Sequence, residues 1–203
     1  MSTRKHIERS QLDALIGRIT QLGYDPPSSI RDSERPDFIL DIRGRNIGLE
    51  TTSAVYQEYK RGRMLHRTGY PAGCVAMSGL QDGERRRSND EIVHDMLTIG
   101  GPWQDADEGM VDWREKIADS LNSKRSKLSD PDFQRFDENW LLIFDEPPLP
   151  DDVFTYDRAC RHLADLFCQA PTTSRDFESV FIYSDRYLFR WRENQLALNY
   201  KRS

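Results

Sequence analysis

Residues 36–52 read Pro36-Asp37-Phe38-Ile39-Leu40-Asp41-Ile42-Arg43-Gly44-Arg45-Asn46-Ile47-Gly48-Leu49-Glu50-Thr51-Thr52. Apolar residues recur at positions 38, 40 and 42, which is the period of a half-buried strand. Positions 43–46 are polar and include Gly44 and Asn46, two residue types that tolerate positive φ, so we expect a tight turn there. In residues 47–52 the side chains alternate again, with Gly48, Glu50 and Thr52 on one face. The pattern predicts a β-hairpin.

The hairpin brings together two acids that are distant in sequence. Asp37 opens the first strand and Glu50 lies near the end of the second, and antiparallel pairing places the start of one strand beside the end of the next. Two carboxylates held together repel unless one takes a proton or a cation lies between them. Carboxylate oxygens are ligands that suit Mg²⁺ and Mn²⁺. The spacing therefore predicts a divalent-metal site at one edge of the hairpin.

Helical and strand periods continue through much of the remaining chain. Residues 4–22 carry an apolar stripe at helical spacing, and Glu8 falls on that stripe, either at a wet helix end or pointed into a site. Residues 111–128 predict a second helix, in which Lys124 lies on the apolar side and either snorkels to solvent or faces a site. The other expected elements are a buried strand at 139–144, a helix at 152–169, strands at 180–183 and 187–191 and an edge strand at 196–200. The order predicts an α/β fold with a mixed central β-sheet flanked by helices.

Residues 53–110 show no sustained period apart from a short helical pattern at 90–98. We expect an irregular insertion there, within a single domain spanning residues 1–203. This segment holds most of the concentrated positive charge, which can grip a phosphate backbone or simply coat a solvated loop. The basic residues expected to contact nucleic acid are Lys60, Arg61, Arg63, Arg67, Arg85, Arg86 and Arg87.

Composition limits the class of protein. The chain has 203 residues and a formal net charge of −5, which argues against a broadly basic nucleic-acid coat but leaves room for a local basic cleft. Three widely spaced cysteines without a CxxC pair favour neither a structural zinc site nor a secreted disulfide framework. No apolar run follows the N-terminus, and no stretch approaches the roughly 18 apolar residues of a spanning helix. We expect a cytoplasmic protein with no membrane partner.

Pro36-Asp37, a turn, and Gly48-Leu49-Glu50-Thr51-Thr52 resemble the core of the PD-(D/E)xK nuclease superfamily, the fold of many restriction endonucleases. The helix at 117–128 and the strand at 140–143 are similar to the helix and strand that follow in that core. The resemblance covers roughly residues 4–52 and 111–145, about half of the chain. It implies a restriction-endonuclease-like core, interrupted by the insertion at about 53–110.

The resemblance also implies a site. In these nucleases the Asp and Glu hold one or two divalent ions, often with a Glu from the first helix. The metal ligands implied here are Asp37, Glu50, Thr51 and Glu8, and the ion is Mg²⁺ or Mn²⁺. The family pattern places a lysine two residues after the Glu, where this chain has Thr52. Some members carry that lysine on the following helix, and Lys124 occupies such a place. The implied catalytic residues are Asp37, Glu50, Lys124 and Glu8.

Three interpretations stay open at this point. The first is a metal-dependent nuclease that hydrolyses phosphodiester bonds, in DNA in preference to RNA. The second is a catalytically inactive domain of the same fold that serves as a nucleic-acid-binding or assembly module. The third is an unrelated α/β protein in which Glu50 merely pairs with an arginine such as Arg43 or Arg45. Nucleic acid is the expected partner, and a homodimer is an open alternative.

Overall fold

The computed structural model describes residues 3–69, 86–98, 106–145, 153–169, 176–184, 187–193 and 195–201. Within these ranges the chain forms five α-helices and one sheet of seven strands. The helices are α1 (Thr3–Ile16), α2 (Gln57–Arg67), α3 (Asn89–Thr98), α4 (Ala106–Leu128) and α5 (Tyr156–Gln169). The strands are β1 (Ser29–Asp32), β2 (Phe38–Ile42), β3 (Arg45–Ala54), β4 (Glu138–Asp145), β5 (Ser179–Tyr183), β6 (Tyr187–Arg192) and β7 (Gln195–Lys201). The predicted α/β class with a mixed sheet is confirmed.

The chain divides into two compact units. The first comprises Met1–Ala54, Ile117–Glu146 and Leu163–Ser203 and contains the whole sheet, and the second comprises Val55–Lys116 and Pro147–His162. The strands are arranged in chain order from β1 to β7. Neighbouring strands are antiparallel except that β4 runs parallel to both β3 and β5. Parallel neighbours bury β4 on both sides, as its nearly continuous apolar sequence predicts.

One face of the sheet in the first unit packs against α1. Leu12 and Leu15 are fully buried and belong to one cluster with Phe38, Leu49 and Trp140. Each such side chain contributes roughly 1.5–3 kcal/mol through the removal of apolar surface from water. Because side chains alternate across a strand, Asp37 and Glu50 must point away from this cluster. The packing of α1 against one face of the hairpin therefore leaves the two acids on the opposite face.

The hairpin agrees with the prediction except at its turn. Phe38 is paired with Leu49, so the same register places Asp37 opposite Glu50. Arg43 and Gly44 alone have positive φ in the turn, at 54° and 74°, while residues 45 and 46 already pair with β2. The predicted turn at 43–46 is thus too long by two residues. A two-residue turn with both φ values positive matches the right-handed twist of the flanking strands.

Gly48 is required by a close approach on the face that carries Glu50. A Cβ atom at this position would lie 2.7 Å from Phe136 Cδ2 and 3.0 Å from Pro36 Cγ. Two side chains therefore cover the strand backbone next to the acids, and any larger residue would displace them.

Two predicted segments of the first unit differ in the structure. Residues 24–35, for which the sequence predicts no strand, include the edge strand β1, whose sequence Ser-Ile-Arg-Asp is largely exposed and lacks an apolar period. The single helix expected at 4–22 is broken, because α1 ends at Ile16 and a short 3-10 helix follows at Ile19–Leu22. An edge strand is stabilised by backbone pairing on one side, so its side chains carry little signal.

The second unit contains a helix where irregular structure was expected. Residues 57–67 form α2, and the buried side chain of Tyr59 joins Ile92 and Met96 of α3 in a small apolar cluster. Buried Glu58 accepts hydrogen bonds from Arg61 Nη1 at 3.4 Å and from the Arg87 backbone at 3.2 Å. Charged residues dominate the sequence of α2 and hide its apolar contacts, which is why its period was missed. Residues 70–85 and 99–105 of the predicted insertion lie outside the described residues.

In the part of the chain that the structure describes, no helix combines the length and the apolar character needed to cross a membrane.

Candidate metal centre

Asp37 lies immediately before β2 and is held by the neighbouring strand β3. Its Oδ2 atom accepts hydrogen bonds from the Thr51 backbone N–H at 2.8 Å and from Thr51 Oγ1 at 3.1 Å. Two donors on one oxygen fix the carboxylate in a single orientation. The predicted ligand Thr51 thus has an observed role as the residue that positions Asp37.

Lys124 joins the two acids. Its Nζ atom donates a short hydrogen bond to Glu50 Oε2 and lies 3.7 Å from Asp37 Oδ2. Asp37, Glu50 and Lys124 are exposed by only 3%, 5% and 7%, so a buried ammonium holds together two buried carboxylates. Lys124 lies on the inner side of α4, as its helical spacing predicts. The structure therefore brings together three of the four residues predicted to be catalytic.

Several effects shift the pKa of Glu50, and they act in opposite directions. Burial is the largest effect and raises the pKa, the Lys124 charge lowers it, and the nearby Asp37 charge raises it again. The hydrogen bond from Lys124 and the charge of Lys127 also lower it, but the net effect is a pKa above the usual value of a glutamate. A carboxylate whose charged form is disfavoured in this way gains from an additional cation nearby.

A cleft of about 240 Å³ opens beside these residues. Its lining consists of four carboxylates, three cations and one aromatic ring, contributed by Glu34, Arg35, Asp37, Glu50, Lys124, Lys127, Asp130 and Phe133. All of these residues belong to the first unit. A concave site that combines buried acids with convergent cations is suited to a charged ligand.

Glu8 is not among the residues that line this cleft in the described part of the chain. It is buried on α1, and its Oε2 atom lies 3.3 Å from Lys5 Nζ. Lys5 in turn donates to the backbone oxygens of Ser33, at 2.7 Å, and Asp37, at 3.4 Å. The structure thus places Glu8 next to the chain that carries Asp37, with Lys5 between them. Its role as a metal ligand stays a prediction.

The donor set fits the implied ion. Mg²⁺ is commonly held by one or two carboxylates together with waters and substrate phosphates, and Asp37 and Glu50 supply two carboxylates that already share one cation. Among the described residues there is no group of three or more His, Cys, Asp or Glu side chains arranged to hold a metal ion. The oxygens of Asp37 and Glu50 are the ones in the cleft that would bind Mg²⁺ or Mn²⁺.

The basic residues predicted to contact nucleic acid lie in the second unit, and they differ from one another in their protein contacts. Arg61 donates to the Arg87 carbonyl and to Asn89, each at 2.7 Å, and Arg87 itself pairs with Asp95. Arg63 lies over the Tyr59 ring, with its Cζ atom 5.9 Å from the centroid. These arginines link or cover elements of their own unit. The remaining described members, Lys60, Arg67 and Arg86, are exposed, and Arg85 lies outside the described residues.

The alternative pairing of Glu50 with Arg43 or Arg45 is wrong. Arg43 pairs with Asp25, and Arg45 Nη2 lies 2.7 Å from Glu138 Oε1. The reason is register, since both arginines lie at the turn end of the hairpin and Glu50 lies toward the other end.

Sequence reasoning missed five residues of the cleft and the bridging Lys5. Lys127 had a usable signal, because a residue three positions after Lys124 lies on the same face of the helix. Arg35 and Glu34 lie in a loop, and Asp130 and Phe133 follow the end of α4. These segments have no helical or strand period, so the sequence does not indicate where their side chains point.

Glu138 carries a second buried charge, and its setting predicts a pH dependence of stability. Burial raises its pKa, but the hydrogen bond from the Trp140 indole and the charge and hydrogen bonds of Arg192, with a further contribution from Arg45, bring the net pKa below the usual value. A carboxylate with a lowered folded pKa stabilises the protein above its unfolded pKa, about 4.3, and loses that contribution as the pH falls through the folded pKa.

We expect Glu138→Gln to lower the free energy of unfolding by roughly 1–3 kcal/mol at neutral pH, because Trp140 and Arg192 lose a charged partner. The difference from the wild-type chain should shrink as the pH falls below the unfolded pKa of glutamate. Urea unfolding at neutral and acidic pH measures this, with the exposed Glu193→Gln as the control. A Glu138→Gln deficit that is the same at both pH values would contradict the electrostatic origin.

Comparisons of the chain with protein-family models, with curated proteins and with solved structures give no match.

Proposed function

We propose that this chain is a metal-dependent nuclease that hydrolyses phosphodiester bonds, in DNA in preference to RNA. The observation that carries the proposal is the gathering of Asp37 and Glu50, from two strands, around the buried ammonium of Lys124. Burying three charges is expensive. Their placement beside an open cleft gives a functional reason for bearing that cost.

The order of elements supports the same proposal. Helix α1, the hairpin β2–β3, helix α4 and the parallel strand β4 occur in the order of the restriction-endonuclease-like core that the sequence resembles, with α2 and α3 inserted between β3 and α4. Asp37 lies immediately before β2 and Glu50 lies within β3, which agrees with the positions that the resemblance implies. We therefore propose a restriction-endonuclease-like core for the first unit.

Asp37 and Glu50 would hold Mg²⁺ or Mn²⁺ in this cleft, and Thr51 keeps Asp37 oriented toward it. When bound, a divalent ion supplies Lewis acidity toward a phosphoryl oxygen and lowers the pKa of water. Lys124 supplies the positive charge that Thr52 cannot supply. Its ammonium would orient the attacking water and stabilise the negative charge that develops on the phosphate.

One observation favours a second candidate function. Lys124 already donates a hydrogen bond to Glu50 and lies 3.7 Å from Asp37 Oδ2, so the two acids share a cation without any metal. A domain of the same fold that binds nucleic acid without cleaving it would keep this arrangement. The two functions differ in whether a divalent ion enters the cleft.

Incubation of labelled single-stranded DNA, duplex DNA and RNA with the full chain separates these functions. We expect cleavage in Mg²⁺ or Mn²⁺, with DNA cut faster than RNA, and no cleavage in EDTA. Binding of the probes without cleavage in either metal would select the inactive module instead.

A further inference from the structure

The cleft contains two cations that the metal centre does not use. Arg35 lies in the loop directly before Pro36-Asp37, and Lys127 lies on α4 three residues after Lys124. Residues three apart project from the same face of a helix. Both residues are exposed, so their charges border the opening of the cleft while Lys124 stays buried within it. Two separate elements thus carry a cation to the entrance of one site.

The surroundings of Arg35 and Lys127 differ from those of the other cations in the first unit. Arg125 makes a bidentate pair with Asp176, with distances of 2.9 and 2.5 Å, and Arg192 contacts Glu138 at 3.1 Å. Within the described ranges, the side chains of Arg35 and Lys127 form no hydrogen bond or ion pair. Cations that make no hydrogen bond or ion pair of their own at the mouth of a cleft are available to an anionic ligand.

The charge of the cleft depends on the ion. Its lining holds four carboxylates and three cations, so its formal charge changes from −1 to +1 when one divalent ion binds. The buried Asp37 and Glu50, with Lys124 and the ion, account for the inner part of this charge distribution. Arg35 and Lys127 lie with Glu34 and Asp130 among the exposed residues of the lining, and low-dielectric walls focus the field of such cations toward a ligand.

We propose that Arg35 and Lys127 bind backbone phosphates of the nucleic-acid strand and position it over the metal centre. The inference rests on the proposed function, since it names the groups that hold the substrate in the same cleft. It adds Arg35 and Lys127 to the predicted phosphate contacts, among which Arg61 and Arg87 are already paired with Glu58 and Asp95.

The test is a binding titration in Ca²⁺, which gives the cleft a divalent charge through its oxygen ligands, with a parallel series in EDTA, which prevents metal-dependent cleavage. Fluorescence anisotropy of a labelled single-stranded DNA oligonucleotide is measured with the wild-type chain, Arg35→Gln and Lys127→Gln, between about 50 and 200 mM salt. Duplex DNA and an RNA of the same sequence form parallel arms. Arg43→Gln is the matched control, because it removes the same charge at the turn end of the hairpin, away from Asp37.

We expect each of the two variants to bind the single strand about three- to tenfold more weakly than the wild-type chain. The slope of log affinity against log salt should fall in magnitude by about 0.7 for each lost phosphate contact. Arg43→Gln should behave like the wild-type chain. Unchanged affinity and slope in both cleft variants, or a wild-type chain that binds none of the probes, would overturn the inference.

Cleavage by the same proteins in Mg²⁺ separates this inference from the proposed function. Wild-type cleavage together with unchanged binding by the variants would refute the phosphate contacts and leave the nuclease standing. Weaker binding by both variants, with no cleavage by the wild-type chain, would refute the nuclease and support the phosphate contacts.

Discussion

The Asp37→Asn variant is expected to fold like the wild-type chain and to lose metal-dependent cleavage by at least about 10³-fold, which corresponds to about 4 kcal/mol of transition-state stabilisation. Asparagine has nearly the same shape, and its side-chain oxygen can still accept the hydrogen bonds that Thr51 donates. The lost property is the negative charge that would hold the ion. Initial rates of oligonucleotide cleavage in saturating Mg²⁺ measure the effect.

Asp41→Asn is the matched control. Asp41 lies on the same strand, near the turn, where its Oδ1 atom accepts a hydrogen bond from the Gly44 backbone at 3.0 Å. The same chemical change at this position should leave the cleavage rate within about twofold, since it costs little away from a buried or catalytic group. Cleavage by Asp37→Asn at the rate of Asp41→Asn would remove Asp37 from the mechanism.

The Lys124→Met variant should lose cleavage and also lose about 3–5 kcal/mol of stability at neutral pH. Methionine fills a similar volume but leaves two buried carboxylates close together without their shared cation. The pKa of Glu50, already raised mainly by burial, should rise further. A raised folded pKa costs nothing below the unfolded pKa of glutamate and its cost grows as the pH rises, so the deficit should shrink in acid. Urea unfolding at neutral and acidic pH measures it.

Mn²⁺ should restore part of the stability that Lys124→Met loses. An ion that binds only the folded state stabilises it by about 2.7 kcal/mol at a hundred times its dissociation constant. Lys127→Met, one turn further along α4 and exposed, is the control and should change stability by no more than about 0.5 kcal/mol. If Lys124→Met were as stable as Lys127→Met, the shared ammonium would not be what holds the acids together.

The sequence predicted the structure best where buried residues recur with the period of a strand or helix. Phe38, Leu40 and Ile42 alternate with the residues at 37, 39 and 41, and the strand period with antiparallel pairing predicts that Asp37 and Glu50 meet at one edge of the hairpin. Lys124 was identified because it interrupts the apolar stripe of a helix. A residue on that stripe points toward the interior of the protein. The buried strand β4 was equally visible, since a short and nearly continuous apolar run is typical of a strand buried on both faces.

Other parts of the fold and site had no such pattern. The exposed strand β1 is held by backbone pairing to β2, which leaves no trace in its side chains. Helix α2 buries Glu58 among arginines, and a buried ion pair looks like a solvated charged segment in a sequence. Arg35 and Lys5 reach the centre from a loop and from a helix end, so only the folded backbone determines what they touch.

The most direct measurement is a calorimetric titration of the wild-type chain and Asp37→Asn with Mn²⁺. The wild-type chain should bind the ion at neutral pH and bind it more weakly as the pH falls toward the raised pKa of Glu50, because protons then compete for that carboxylate. Asp37→Asn should show little or no binding at any of these pH values. Equal binding by both proteins, or no binding by the wild-type chain, would contradict a divalent-metal centre at Asp37 and Glu50.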